Sequence, residues 1–194
     1  MKYRPSRSTL STSSAIVLMV VSCAATEKAA SPSFKWPTPA APAVPEADGY
    51  ATIPDVAMPP EKSTTYRAIF DATRAADKST QILPALNMAG SELNALVASG
   101  VPLANAQFVI VFHGQAIDGL LSDTHYRDKF GVANPNLPVL TALEKAGVEL
   151  YVCGQQLAAD GVDPRTLTSH VKVASDALLV SMTYQNKGYA LLSY

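Results

Sequence analysis

Cys153 stands where the apolar run of AGVELYVCGQQL (146–157) stops and a glycine begins. A thiol at such a junction can attack an electrophilic sulfur and hold it, provided that backbone amides approach closely enough to favour the anion. Gly154 has no side chain to block that approach. A helical turn starting at Gln155 would aim its unpaired N–H groups and positive end at the sulfur. His113 occupies the corresponding place in VFHGQA (111–116), again followed by a glycine, Gly114. An imidazole there can take a proton from the thiol, return one, or line the pocket. On residue types alone, two readings of each side chain stay open. Cys153 is a working thiol or a small apolar filler, and His113 is a proton carrier or hydrogen-bonded scaffolding.

Other chemistry finds little support. His125 and His170 lie far apart in loop-like contexts and read as solvated, and three scattered histidines with one domain cysteine give no zinc spacing. No metal site and no dissociable cofactor are expected. The chain has no GxxxxGK[ST], no GxGxxG after a strand, no GxSxG elbow and no HExxH, which removes the usual support for nucleotide hydrolysis, dinucleotide chemistry and serine hydrolysis. Asp118, Asp123 and Asp128, interleaved with Arg127 and Lys129, read as one solvated side of a polar loop or helix.

Positioning Cys153 and His113 requires strands that end at one edge. YRAIFDAT (66–73) and AQFVIVFHG (106–114) are apolar, β-branched and aromatic runs closed by turn residues, as strands are. Between them Leu86, Ala89, Leu93, Leu96 and Val97 recur at helical spacing, with Pro84 near the start and Gly100 past the end. A second helix presents Leu137, Leu140 and Leu143, has Pro138 in its first turn, is capped by Asn134 or Asn136, and ends at Gly147. VELYVC (148–153) is the third strand and VKVA (171–174) a short fourth. SDALLVSMTYQNKG (175–188) reads as a helix and YALLSY (189–194) as the last strand. Strands joined by helices of this length pair in parallel, with helices on both faces. The expected fold is a three-layer α/β/α sandwich around a mainly parallel five-stranded sheet. Chemistry then gathers outside the carboxyl ends of the strands, where Cys153 and His113 fall.

The whole chain has 194 residues, 48% hydrophobic and 16% charged, enough for one packed domain. A net charge of −1 lacks the basic face that nucleic-acid binding needs. The amino-terminal part reads separately. Lys2, Arg4 and Arg7, then the apolar Ala15–Val21, then Ser22, Cys23, Ala24 and Ala25, follow the order of a secretory signal peptide over residues 1–25. That apolar stretch is too short for a membrane-spanning helix, so export to the periplasm is expected. VVSC (20–23) also resembles the lipobox of bacterial lipoproteins. Lipidation at Cys23, which would anchor the chain at a membrane surface, and ordinary cleavage near Ala24 or Ala25 both remain open. Residues 26–63 hold eight of the 14 prolines and read as an extended linker, with Trp36 loosely docked or exposed. The domain is expected over 64–194.

The block from VFHGQAIDGLL through NPNLPVLTALEKAGVELYVCGQQL to QNKGYALL resembles the DsrE/DsrF-like family, small α/β proteins several of whose members carry sulfur as a cysteine persulfide. The resemblance spans residues 64–194 and includes LSDTHYRDKFG and the Asn134–Pro135–Asn136 turn. It implies the same five-stranded sandwich, a homo-oligomer (trimer or hexamer), and a persulfide position at Cys153. It places His113 in the HG that ends the second strand of many members, especially exported ones. Gly114, Gly154 and Gln155 are then the expected substrate contacts. Here the stretch after the cysteine is QQLAAD, without the basic residues that sulfur-relay members tend to have. Those relays also work in the cytoplasm. The expectation is an exported sulfur (persulfide) carrier, or a protein that binds sulfur or another soft ligand through its thiol, acting through Cys153 with a protein sulfur donor or acceptor. The alternative is a non-enzymatic oligomeric module of the cell envelope, and a redox-sensing thiol would use the same residue.

Overall fold

A computed structural model describes residues 35–194; the leader over 1–25 and Cys23 lie outside the described residues. Alternating strands and helices run in chain order as β1 (Tyr66–Ala72), α1 (Pro84–Ala98), β2 (Ala106–Phe112), α2 (Asp123–Phe130), α3 (Asn136–Lys145), β3 (Glu149–Cys153), α4 (Gly154–Asp160), β4 (Lys172–Ala174), α5 (Ala177–Gln185) and β5 (Ala190–Ser193). All five strands pair in parallel, in the order β4-β3-β2-β1-β5. The expected α/β sandwich is therefore present, and β2 lies at its centre.

Strand alternation divides the side chains between two unequal layers. Ala68, Phe70 and Ala72, Phe108, Ile110 and Phe112, and Leu150 and Val152 face one side. There they pack with Leu86, Ala89 and Leu93 of α1 and Val139, Leu140 and Leu143 of α3 in the main core. Ile69, Val109, Val111 and Cys153 face the other side and meet Ala177 and Tyr184 of α5 in a much smaller cluster. The second layer is thin because one nine-residue helix packs there. This is the layer that carries the candidate chemistry.

Two asparagines hold the loops that join the layers. Asn134 donates its amide to the carbonyls of Gly119 and Leu121 (3.1 and 2.6 Å) and accepts from the backbone and side chain of Asn136 (2.9 Å each). Asn136 in turn accepts from Leu83 N–H at 2.7 Å, just before α1. These asparagines tie loop to loop; α3 itself begins after Pro135 without a side-chain cap bond. Their buried amides are satisfied by each other and by loop main chain.

The segment expected to be a linker belongs from Lys35 onward to one compact unit that extends to Tyr194, and part of it is packed. Val44 is fully buried and Ala47 nearly so, both against α1. A Cβ on Gly90 would lie 2.4 Å from the Ala47 Cβ, so the chain sits directly on the helix there. Asn94, itself fully buried, accepts from Ala43 N–H and Val44 N–H at 2.9 Å and donates to the carbonyls of Val44 and Asp48 at 3.0 and 3.1 Å. Proline-rich chain cannot build a ladder, but its remaining amides can be satisfied by a side-chain amide, which offers both donor and acceptor. Ala40 and Tyr50 close the segment with a two-bond antiparallel bridge. Trp36 is 64% exposed.

Candidate functional site

The register brings the ends of β1, β2 and β3 together on the thin-layer face. Asp71 pairs with Val111, and Val111 with Tyr151. Two residues further on, His113 and Cys153 stand at the same level of adjacent strands, on the same face. His113 keeps extended backbone (φ −154°, ψ −177°) and donates its N–H to the Ala72 carbonyl at 3.0 Å, which carries the β1–β2 pairing past the last strand residue. Neighbouring strands are about 4.8 Å apart.

Cys153 ends β3 and caps α4. Its sulfur accepts the Gln156 N–H at 3.4 Å, in the first turn of α4, and the Ala177 N–H at 3.3 Å, at the first residue of α5. Two helix starts thus converge on one sulfur, an arrangement that solvates negative charge there. Asp176 takes the next two amides of α5, those of Leu178 and Leu179, at 2.7 and 3.2 Å, so the end of that helix is shared with a carboxylate. The thiol is free and only 6% exposed, closed in more tightly than an open pocket.

The placement of α5 over the sulfur has its own support. Glu149 and Tyr151 share a face of β3 with Cys153. The Glu149 carboxylate accepts from Tyr184 OH and Tyr151 OH at 2.8 Å each, and Tyr184 belongs to α5. Burial, with its hydrogen-bond contacts to Tyr151 and Glu149, pushes the Tyr184 hydroxyl well above the ordinary tyrosine range and keeps it a donor. Tyr189 packs edge-on against Tyr184 with centroids 5.0 Å apart. The helix that gives Ala177 N–H to the sulfur is thereby fixed at its other end.

The expected contact residues Gly154, Gln155 and Gly114 also have structural parts. A Cβ on Gly154 would meet the Ala174 carbonyl oxygen at 2.6 Å, so the glycine lets the start of α4 lie against the end of β4. Gln155 has an exposed side chain, and its N–H is taken by the Ser175 carbonyl at 3.2 Å. The amide that reaches the sulfur is the next one, Gln156. Gly114 has φ +56°, a conformation that suits glycine, at the turn out of His113.

Asp71 was missed. Its Oδ1 lies 2.7 Å from His113 Nε2, with both side chains 25% exposed. The signal was present in YRAIFDAT, where an acid stands alone near the end of a strand whose neighbours Phe70 and Ala72 are buried. The remaining histidines divide. His125 is exposed, beside the Ser122 hydroxyl at 2.7 Å. His170, expected to be solvated, is instead held between Glu144 (2.8 Å) and Thr141 (3.1 Å) on α3. Asp123 pairs with Arg127 and Asp118 with Lys129 on the polar side of α2. Among the described residues no group of three or more His, Cys, Asp or Glu could hold a metal ion, and no helix is long and apolar enough to cross a membrane.

Fold and site together define a parallel α/β sandwich with a shielded cysteine at the end of an inner strand, between two helix starts. The DsrE/DsrF-like family model matches residues 56–194, and the chain belongs to that family. Among solved structures, it is similar to a protein of unknown function, MTH1491 from Methanobacterium thermoautotrophicum. That likeness has 19% identity and a TM-score of 0.48, and covers 66% of this chain and 99% of that one. No curated protein matches.

Proposed function

We propose that the chain carries sulfur on Cys153 as a persulfide. The observation that carries this reading is the sulfur's position: it ends β3, accepts the Gln156 and Ala177 N–H groups, and stands level with His113. Family membership supports the same class of chemistry. In the forward step the Cys153 sulfur attacks the outer sulfur of a donor R–S–SH. The new S–S bond forms as the donor's breaks, and R–SH leaves with the proton that Cys153 gave up. A partner thiolate then attacks the outer sulfur of Cys153–S–SH and regenerates the thiol. No net oxidation occurs in either step.

The basic, apolar and small residues in order over 1–25 support export to the periplasm, with acylation at Cys23 or cleavage near Ala24 or Ala25. Metabolic labelling with a tagged fatty acid separates these two, because the Cys23→Ala chain should lose the label only if Cys23 is acylated. A homo-oligomer fits the apolar outer stripe of α5, where Leu178, Leu179 and Met182 are 67%, 52% and 51% exposed.

A second reading is favoured by two observations. Cys153 is 6% exposed and that stripe is apolar, as expected of an oligomeric envelope module in which the cysteine is packing. Native thiol labelling decides between them. A carrier labels Cys153 while folded and gains one sulfur from a sulfane-sulfur donor. A module labels only on unfolding, and replacing Cys153 with Ser leaves its partner binding intact.

A further inference from the structure

The contact between Asp71 and His113 at 2.7 Å assigns a proton to one ring nitrogen and leaves the other as a base. We propose that Asp71 is a positioning residue that holds the His113 ring with Nε2 protonated, so that Nδ1 accepts the proton of Cys153. The site is then a relay of carboxylate, imidazole and thiol drawn from three adjacent strands. In its chemistry this rests on the sulfur-carrier reading above; in its geometry it does not.

An ionised carboxylate only accepts hydrogen bonds, so the imidazole nitrogen facing Asp71 must carry hydrogen. In the neutral ring the lone pair is then on Nδ1, which makes no hydrogen bond among the described residues, to Cys153 Sγ included, and takes the thiol proton when the two side chains meet during reaction. The main chain fixes the ring's origin as well. His113 N–H is bonded to Ala72, and a Cβ on Gly114 would lie 3.3 Å from the Thr73 carbonyl oxygen, so the turn out of β2 is pressed against the end of β1. Asp71 approaches from the β1 side of β2. Cys153 stands on the other side, on β3, level with His113.

The sulfur's own bonds point the same way. In both of them it is the acceptor, from Gln156 N–H and Ala177 N–H. Its proton is therefore directed away from those two amides. Across the ladder on that face, the group at the same level is His113.

The relay removes a proton and returns it. As Sγ attacks the outer sulfur of R–S–SH, Nδ1 takes the thiol proton, the Sγ–S bond forms and the donor's S–S bond breaks. The electron pair leaves on R–S⁻, which takes the proton back from the imidazolium and departs as R–SH. Asp71 gains and loses nothing; it stabilises the imidazolium and fixes which nitrogen reacts.

The test is alkylation of native Cys153 by iodoacetamide, which reads the thiol without any sulfur donor, beside nitrogen NMR of the His113 ring. The relay predicts hydrogen on Nε2 and a bare Nδ1 in the neutral ring. D71N and H113Q should each slow alkylation about 10-fold or more, and D71E should restore part of the rate. The D71N/H113Q double variant should be no slower than H113Q alone. Melting curves confirm that each variant is folded, and H113Q, which leaves Asp71 in place, keeps the test open if D71N does not fold. Wild-type alkylation rates in folded D71N with an unchanged ring tautomer would overturn the proposal, as would additive losses in the double variant. If the alkylation pattern holds but no donor loads sulfur, the carrier reading fails and the relay stands. If sulfur loads equally well with and without Asp71, the relay fails and the carrier stands.

Discussion

Replacing Asn94 with Ala should loosen the amino-terminal segment from α1 and measurably destabilise the whole unit. The side chain is fully buried and makes four hydrogen bonds, of 2.9, 2.9, 3.0 and 3.1 Å, to the main chain of Ala43, Val44 and Asp48. If the segment stays docked, the N–H of Val44 is left buried and unpaired, at roughly 1–3 kcal/mol, its C=O keeps the Ala47 N–H at 3.1 Å, and the other lost bonds cost about 0.5–1.5 kcal/mol each. If it detaches, water repairs those groups. The molecule then loses the burial of Val44, worth about 1.5–2 kcal/mol, and the net value of the lost hydrogen bonds, at about 0.5–1.5 kcal/mol each, while the freed chain regains entropy. The chain takes the cheaper course, so we expect a loss of about 2–4 kcal/mol. At about 2–4 °C per kcal/mol for a chain of this size, the melting temperature should fall by about 5–15 °C. Urea and thermal unfolding followed by circular dichroism measure both quantities. Gly90→Val wedges the same segment at Ala47 and should combine with Asn94→Ala to give less than the sum of the two. An Asn94→Ala protein within about 0.5 kcal/mol of wild type, or a strictly additive pair, would refute the docking argument.

Other substitutions address the site and the surface. Gly154→Ala drives a methyl group into the Ala174 carbonyl at 2.6 Å; it should cost about 1–3 kcal/mol in urea unfolding and slow sulfur loading. Tyr184→Phe removes the bond from α5 to Glu149 and should cost about 1–2 kcal/mol while raising hydrogen exchange at the Ala177 amide. Leu178→Lys or Met182→Lys, both on the exposed stripe of α5, should shift sedimentation toward monomer without lowering the melting temperature of the dissociated chain. Acid should weaken the fold in a defined window. Hydrogen bonds from Arg165 hold Asp163 down to about 2, and those from Arg127 and the Asn134 N–H hold Asp123 below the ordinary range. Both groups are depressed in the folded state, so their contribution is present above about pH 4 and is lost as the pH falls from there through about 2. The loss of urea midpoint between about pH 5 and about pH 2.5 should be smaller in Asp163→Asn, and modest in size because both carboxylates are exposed.

The architecture was legible because apolar periodicity and punctuation agree with it. Pro84 and Gly100 bracket α1, and the runs at AQFVIVF and ELYVC end in glycine-led turns. Cys153 and His113 were legible as strand ends, and parallel pairing then placed them at one edge. Their partners were not. Gln156 and Ala177 reach the sulfur through main-chain N–H groups, which every residue has, so no residue type could mark them. Gly154 was read as letting backbone amides approach closely, but a missing side chain does not reveal what fills its place; here it is the carbonyl of Ala174, from another strand. The proline-rich stretch misled for a different reason. Composition reports that a segment makes few ladder bonds, but not that Asn94 on a distant helix can supply the bonds instead.

The most direct test of a sulfur-carrying Cys153 is peptide-level mass spectrometry of the native protein after incubation with a sulfane-sulfur donor and alkylation trapping. The account predicts one added sulfur on the peptide containing Cys153, its loss when a small thiol acceptor is added, and no gain in the Cys153→Ala chain. A Cys153 peptide that stays unmodified in the folded protein, and reacts only after denaturation, would contradict it.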